Sequence, residues 1–323
     1  MPNANSPKST LPGACLAVIY LCAVSCVGKM IHNDFVFFPE LAALAYGLFM
    51  RPTGPWAMAP LMVAVTPAVT ALWGVSVAGY LPYGVPSAIL CIAGSLLIVK
   101  AMKSPVFPAV PAGFLPLVFN VTSVHYVVFI AFDTGVLALL SVAYQRWWRA
   151  GIGQPAVVRT ETPTPANAYR KTTRWAAFWS VLAVTYFLAA RTGIRLILFP
   201  PLIVIAFETL VRAETCPWAR RSALLPAICM ATAGLGWVSI VLFGTGPLSV
   251  LFALGASIVL IRAVGAFMLP ALAISVIPQI MLHTDWRYPL AIGTGTVAVV
   301  ATRSILNVVE QFEARSGGSR AVE

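Results

Sequence analysis

Acidic residues and histidines are scarce in this chain, which excludes several kinds of functional site. Its 323 residues include 10 Asp and Glu and 3 His, against 21 Lys and Arg. The histidines lie far apart in the sequence, and the six cysteines lie mostly inside apolar stretches without the spacing of paired metal ligands. Motifs such as His-Glu-x-x-His and Gly-x-Ser-x-Gly are also missing from the sequence. We therefore expect no metal, no cofactor and no enzyme activity.

Apolar residues dominate what is present. The chain is 59% hydrophobic and 10% charged, with a mean hydropathy of +0.88. Apolar stretches of about 18 or more residues recur along it, which is the length that crosses a bilayer as a helix. The net charge of +11 does not indicate nucleic-acid binding, because the basic residues lie between the apolar runs instead of clustering on one solvated face. We predict an all-α, polytopic transmembrane helix bundle whose partner is the lipid bilayer.

The chain repeats itself at a nearly constant distance. "FVFFPELAALAYGLFMR" (35–51) and "LILFPPLIVIAFETLVR" (196–212) have the same pattern, with proline in the middle and arginine at the end. At a shift of 161 residues (199 minus 38), and then of 162 (217 minus 55), identical residues fall on each other: Phe38, Pro39, Arg51, Pro55, Trp56 and Pro108 on Phe199, Pro200, Arg212, Pro217, Trp218 and Pro270. Apolar composition alone does not explain matched proline, tryptophan and arginine. We interpret the pattern as a tandem duplication.

This duplication predicts two repeats of about six hydrophobic segments each, some of them short or broken by proline. In the first repeat the predicted segments are 12–31, 36–51, 57–79, 84–103, 105–120 and 124–147. The predicted domains are a first repeat at 12–147, a basic linker rich in Pro and Thr at 148–173, a second repeat at 174–309 and a tail at 310–323. An even number of crossings in each half would make the two repeats parallel, related by an axis along the membrane normal.

The distribution of basic residues predicts the orientation, because cytoplasmic loops accumulate Lys and Arg. The N-terminus, the linker and the tail are expected in the cytoplasm, in the plasma membrane of a bacterium (its inner membrane). The basic residues on the cytoplasmic side would then be Lys8, Arg51, Lys100, Lys103, Arg212, Arg220, Arg221, Arg262, Arg303 and Arg315. Three basic residues fall on the opposite side: Lys29, Arg191 and Arg195.

The second and fifth segments of each half are the candidates for a binding site. They are short or rich in proline, and broken helices persist at membrane depth only where protein or a water-filled cavity satisfies the backbone. Half-helix N-termini favour an anion at such a site. We predict a substrate site between the halves with these lining residues: Pro39, Glu40, Pro108, Asn120, Pro200, Pro201 and Pro270, with Lys100 and Arg262 towards the cytoplasmic entrance.

Structural roles compete with these assignments. Glu208 lies four residues before Arg212, so the two could form an i,i+4 ion pair near the interface. Lys100 and Arg262 lie at helix ends, where membrane topology alone would place basic residues. Asp133 is assigned a packing role in preference to proton relay.

The segments "LFPPLIVIAFETLVRAETCPWARRSALLPAI" and "FMLPALAISVIP", followed by a helix that opens near Trp286 and ends near Asn307, resemble the HPP family of integral membrane proteins. Pro200, Pro201 and Leu202 match that family's Pro-Pro-Leu segment. Pro270 matches the first proline of its His-Pro-Pro motif, whose histidine is replaced here by Leu269, and by Phe107 in the first half. The resemblance covers nearly the whole chain as two tandem copies. It implies a transporter, with nitrite as a substrate of the family.

The expected function is therefore that of a permease for a small solute, with a small anion such as nitrite as the candidate substrate. Proton coupling is the preferred mechanism, because burial favours the neutral form of a carboxyl such as that of Glu40. The alternative is a structural or assembly-partner membrane protein that does not transport, and a homo-oligomer is left open.

Overall fold

The computed structural model describes residues 7–151 and 167–319, which are mostly helical and contain no strand. Short 3₁₀ turns and a π-helical turn connect or extend the α-helices of the described residues. The α-helices are α1 (Pro7–Met30), α2 (Glu40–Met50), α3 (Pro60–Tyr80), α4 (Val85–Ala101), α5 (Ala109–Phe119), α6 (His125–Gly151), α7 (Asn167–Thr192), α8 (Pro200–Ala206), α9 (Leu225–Phe243), α10 (Pro247–Val264), α11 (Leu269–Val276) and α12 (Arg287–Ser319). The all-α prediction is confirmed.

Five helical stretches are long and apolar enough to cross a membrane: Leu11–Met30, Pro60–Tyr80, His125–Trp147, Arg221–Phe243 and Arg287–Gln311. At a rise of about 1.5 Å per residue, 20 residues cover about 30 Å, the thickness of the hydrocarbon core. Large apolar side chains on these helices point away from the protein, including Leu139 at 73% exposure and Phe132 at 65%. Such outward faces are suited to lipid and not to water, so the five helices indicate a membrane protein.

The remaining helices differ in length and polarity. α7 has 26 residues, yet it is not among the five, and its apolar stretch is flanked by Arg174 and Arg191. α4 and α10 are apolar but slightly shorter. α2, α5, α8 and α11 have 11, 11, 7 and 8 residues, so each covers only about half the hydrocarbon thickness or less.

Proline explains where the short helices begin. Pro39 and Pro108 directly precede α2 and α5, and Pro200 and Pro270 lie in the first turns of α8 and α11. Proline is well tolerated there because the first residues of a helix have no intrahelical use for their N–H groups. We expected these prolines to break helices in the middle. Instead, all four start helices, whereas Pro116 lies inside α5, beyond its first turn.

One long helix in each half, α3 in the first half (α1–α6) and α9 in the second half (α7–α12), packs against the three helices that follow it. α3 contacts α4, α5 and α6, and α9 contacts α10, α11 and α12. Between the halves, α2 packs against α11, α8 against α5, and α1 against α10. One hydrophobic core therefore runs through both halves.

Two glycines allow close approaches between helix backbones within this packing. A Cβ atom at Gly74 of α3 would collide with the backbone carbonyl of Gly113 in α5, and one at Gly236 of α9 would collide with the carbonyl of Ser275 in α11. Small residues at such crossings let helix backbones approach in a membrane, where dispersion contacts and hydrogen bonds drive association. Both short helices α5 and α11 are held in this way.

The predicted linker lies partly outside the described residues. α6 continues to Gly151 and α7 begins at Asn167, so helix extends into the predicted linker from both sides. Residues 152–166 and the tail beyond 319 are not among the described residues.

Candidate functional site

A cavity of about 350 Å³ lies where the two halves meet. Its walls come from α2, α8 and α11, from the segment that leads into α5, and from the loops that follow α2 and the π-helical turn Phe207–Val211. The volume lies in the range of small-molecule sites.

The residues that line this cavity fall almost entirely into pairs, one from each half. Five pairs have a separation of 161 (for example 201 minus 40), and five have a separation of 162 (for example 270 minus 108). They are Glu40/Pro201, Ala43/Val204, Gly47/Glu208, Arg51/Arg212, Gly54/Thr215, Pro55/Pro217, Trp56/Trp218, Pro105/Phe267, Phe107/Leu269 and Pro108/Pro270, with Ala273 alone outside the pairs. Positions that the sequence repeat predicts to be equivalent therefore line the same cavity.

The closed end of the cavity contains one carboxyl group, that of Glu40. This residue lies in the first turn of α2 and is 2% exposed, and its two carboxyl oxygens have no hydrogen-bond partner among the described residues. Its carboxyl group is close enough to Tyr126 and Tyr288 to interact with them electrostatically. An unpaired carboxylate at this depth is costly, so a proton or a ligand is expected to complete the site.

The opposite end of the cavity is polar and exposed. Arg51 and Arg212 both lie there, at the ends of corresponding segments. The guanidinium carbon of Arg51 lies 3.8 Å from the ring centroid of Phe267, and no carboxylate pairs with Arg51 among the described residues. Nη1 of Arg212 lies 3.1 Å from Oε1 of Glu208, which confirms the predicted i,i+4 pair. Partial burial lowers the pKa of Arg51, which lies beyond the end of α2.

Aromatic side chains form the walls between these two ends. Trp56 Nε1 donates a hydrogen bond to the carbonyl of Pro105 at 2.9 Å, and Trp218 Nε1 donates to Thr209 Oγ1 at 3.1 Å. Phe107 stacks on Phe207 with ring centroids 3.9 Å apart. Because the indole N–H groups already have partners, the walls present apolar surface to the cavity.

The structure brings together four of the predicted site residues: Glu40, Pro108, Pro201 and Pro270 all line the cavity. Pro39 and Pro200 are buried beside it at helix starts. The remaining three predicted residues, Asn120, Lys100 and Arg262, do not line it.

Each of these three residues has a different place. Asn120 caps the far end of α5 in the left-handed conformation, with φ of 56°. Lys100 is exposed near the end of α4. Arg262 donates a hydrogen bond to the Tyr46 hydroxyl at 3.1 Å. The basic residues that line the cavity are instead Arg51 and Arg212. The sequence could have identified them, because each is the arginine at the end of one of the two repeated segments.

At the end of the helix bundle away from Arg51 and Arg212, polar contacts join the two halves. Lys29 Nζ donates to Thr245 Oγ1 at 2.6 Å. The guanidinium of Arg195 lies 4.7 Å from the ring centroid of Tyr83, which itself stacks on Tyr186 with centroids 5.7 Å apart. Tyr83 and Thr245 are separated by 162 residues (245 minus 83). Two of the three basic residues that depart from the predicted charge distribution therefore have partners in the other half.

No three His, Cys, Asp or Glu side chains of the described residues come together in a way that could hold a metal ion. No family model matches the chain, and neither a curated protein nor a solved structure is significantly similar to it. The resemblance to the HPP family therefore stays a prediction.

Proposed function

We propose that the chain is a multi-pass plasma-membrane transporter of a small polar solute, built from two parallel tandem repeats. The observation that carries the proposal is the cavity between the halves, whose lining consists of paired residues and contains one buried carboxyl group without a partner among the described residues. Transporters commonly place their substrate at the interface of two structural repeats.

Equivalent hydrogen bonds support the duplication. The Tyr126 hydroxyl donates to the carbonyl of Ala112 at 3.1 Å, and the Tyr288 hydroxyl donates to the carbonyl of Ile274 at 2.5 Å. Both partners are separated by 162 residues from their counterparts (288 minus 126, and 274 minus 112). Hydroxyl-to-carbonyl bonds at matching places are not explained by apolar composition.

The short helices support a site near mid-depth. The first turns of α2 and α11, and the residue that caps α5, all line the closed end of the cavity. Helix N-termini carry a partial positive charge, which stabilises an anionic ligand or an ionised carboxylate. Arg51, Arg212 and the Glu208 carboxylate that pairs with Arg212 leave one net positive charge at the exposed end, which fits the anionic group of a small solute.

Proton coupling follows from the carboxyl group of Glu40. A group that is buried, unpaired and in contact with a cavity can alternate between a neutral state and a state paired with a ligand. In the second half, the position equivalent to Glu40 is Pro201, which has no carboxyl group. Only the first half therefore supplies a carboxyl group at the closed end of the cavity. Nitrite remains the candidate substrate that the sequence resemblance implies.

Uptake into proteoliposomes tests this function. The purified chain is reconstituted, inward and outward proton gradients are imposed in separate experiments, and accumulation of nitrite and of a panel of small organic solutes is measured at neutral pH. We expect Glu40→Gln to abolish the dependence on the gradient, and Arg51→Gln with Arg212→Gln to lower uptake on the order of tenfold, the effect of losing about 1.4 kcal/mol of binding. Arg287→Gln is the control, because Arg287 is 64% exposed outside the cavity.

Two outcomes would contradict the proposal. Uptake equal to that of empty liposomes for every solute would refute transport and favour the structural alternative. Uptake that is unchanged in the cavity variants would show that the solute does not pass through this cavity.

A further inference from the structure

The cavity has opposite chemistry at its two ends. Glu40 and Arg51 lie on the same helical segment, 11 residues apart (51 minus 40), so their Cα atoms are separated by about 16 Å at 1.5 Å per residue. The carboxyl group of Glu40 is at the closed end, and the guanidinium groups of Arg51 and Arg212 are at the exposed end. A ligand that satisfies both ends must itself carry opposite charges at its two ends.

We propose that this cavity binds a small organic zwitterion, with an ammonium group at Glu40 and an acidic group between Arg51 and Arg212. This inference rests on the proposed function and specifies its substrate class. A zwitterion differs from nitrite, the substrate that the sequence resemblance implies, because nitrite carries only a negative charge.

The volume of the cavity favours an organic molecule. A space of 350 Å³ would hold about a dozen water molecules at roughly 30 Å³ each. A three-atom anion at the arginines would fill only a small part of this space and would leave the Glu40 carboxyl without a partner. A chain of several carbon atoms between two charged groups would reach both ends.

The walls define the body of the ligand. Trp56 and Trp218 use their indole N–H groups within the protein, and Phe107, Phe267 and Leu269 complete an apolar middle section. Hydroxyl groups along the ligand would find few partners there and would lose their hydration. A hydrocarbon body is therefore favoured over a polyol.

Glu40 provides the carboxyl group at the closed end, and the other carboxyl group of the lining, that of Glu208, is paired with Arg212. At the closed end the proton and the ligand are therefore alternative occupants. When an ammonium group binds, the carboxyl proton of Glu40 leaves to water, and the resulting carboxylate pairs with the cation. Around Glu40, α6 contributes Tyr126 and α12 contributes Tyr288, while α8 and α11 have no titratable side chain. Ligand binding should consequently weaken as the pH falls, and transport would exchange zwitterion for proton.

Binding to the purified full chain in detergent tests this inference. The probes are 6-aminohexanoate, hexanoate and hexylamine, which share one chain length and differ only in their charged ends. Calorimetric titration should give at least roughly tenfold tighter binding of 6-aminohexanoate than of either single-ended probe, because two ionic contacts replace one. Shorter and longer amino acids of the same series, such as glycine and 8-aminooctanoate, should bind more weakly.

Substitutions assign each end of the ligand. Glu40→Gln should remove the advantage of 6-aminohexanoate over hexanoate while hexanoate binding persists. Arg51→Gln combined with Arg212→Gln should remove its advantage over hexylamine. Glu40→Asp keeps the carboxyl group and should restore the preference, with a shift towards a probe one carbon longer. Arg287→Gln should change nothing.

The outcomes separate this inference from the proposed function. Equal binding of 6-aminohexanoate and hexanoate, or a preference for the zwitterion that persists in Glu40→Gln, would overturn the inference. If nitrite uptake requires Glu40 and the zwitterion does not bind, the transporter proposal stands and the substrate class is wrong. If no probe binds and no solute is taken up, both are refuted.

Discussion

Gly236 offers a sharp test of how α9 and α11 are packed. A Cβ atom there would collide with the carbonyl group of Ser275 and would lie 3.2 Å from Cγ of Pro278. Gly234 is two residues away on the same helix, and a Cβ atom at Gly234 would meet no atom within 4 Å among the described residues. The substitutions Gly236→Ala and Gly234→Ala are therefore chemically identical and differ only in the space that the new methyl group meets.

The expected difference can be worked out from two opposing effects. Replacing glycine with alanine inside a helix stabilises it by roughly 1 kcal/mol, and this gain applies to both positions. At Gly236 the methyl group must also displace backbone atoms of α11, and such overpacking costs about 1–3 kcal/mol. Gly234→Ala should therefore raise the stability slightly, and Gly236→Ala should be less stable than Gly234→Ala by about 1–3 kcal/mol.

A buried thiol provides the assay. Cys229 is on the same helix and is fully buried. In a background from which the other five cysteines have been removed, a thiol-reactive dye therefore reports when α9 separates from its neighbours. The midpoint of dye labelling on heating in detergent should be lower for Gly236→Ala than for Gly234→Ala. Equal midpoints would refute the close approach of α9 and α11.

Two further predictions concern the ion pairs and the topology. Arg174 contacts Glu310 at 2.9 Å and Glu214 at 3.0 Å, with side-chain exposures of 15% and 69% for the two acids, so Glu310→Gln should cost about 1–3 kcal/mol and Glu214→Gln less than about 1 kcal/mol in thermal unfolding. The reverse order would contradict this assignment. In a background without the native cysteines, Tyr80→Cys should react with a membrane-impermeant maleimide from outside intact cells, and Lys103→Cys only after permeabilisation. Labelling of Lys103→Cys in intact cells would overturn the predicted orientation.

The sequence by itself predicts the helices well because apolar length and proline are local signals. The predicted segments 36–51, 84–103 and 105–120 correspond to α2, α4 and α5, with shifts mainly at their starts. Proline restricts its own backbone and has no N–H group, so its effect does not depend on distant residues. The ion pair between Glu208 and Arg212 is also predictable, because the two residues are only four positions apart on one helical segment.

The position of a basic side chain relative to a cavity is not a local property. Lys100 and Arg262 were predicted at the entrance because they occupy equivalent positions at helix ends, but such positions say nothing about which face meets the other half. In the folded chain Arg262 is bound to Tyr46 of the first half, and Lys100 is exposed. Asn120 is predicted at the site because it belongs to the fifth segment. In the structure the start of α5 lies at the cavity, and Asn120 is at the other end of this helix.

The tertiary structure alone decided the composition of the candidate site. The packing of α2 against α11 and of α8 against α5 brings the starts of short helices together and leaves the Glu40 carboxyl facing a cavity, without a partner among the described residues. The same packing places both Arg51 and Arg212 at the exposed end of this cavity. The sequence determined which residues start and end these helices, because those preferences are encoded within a few neighbouring residues. Which ends meet across the bundle depends on contacts between residues that are far apart in the sequence, and only the folded chain contains that information.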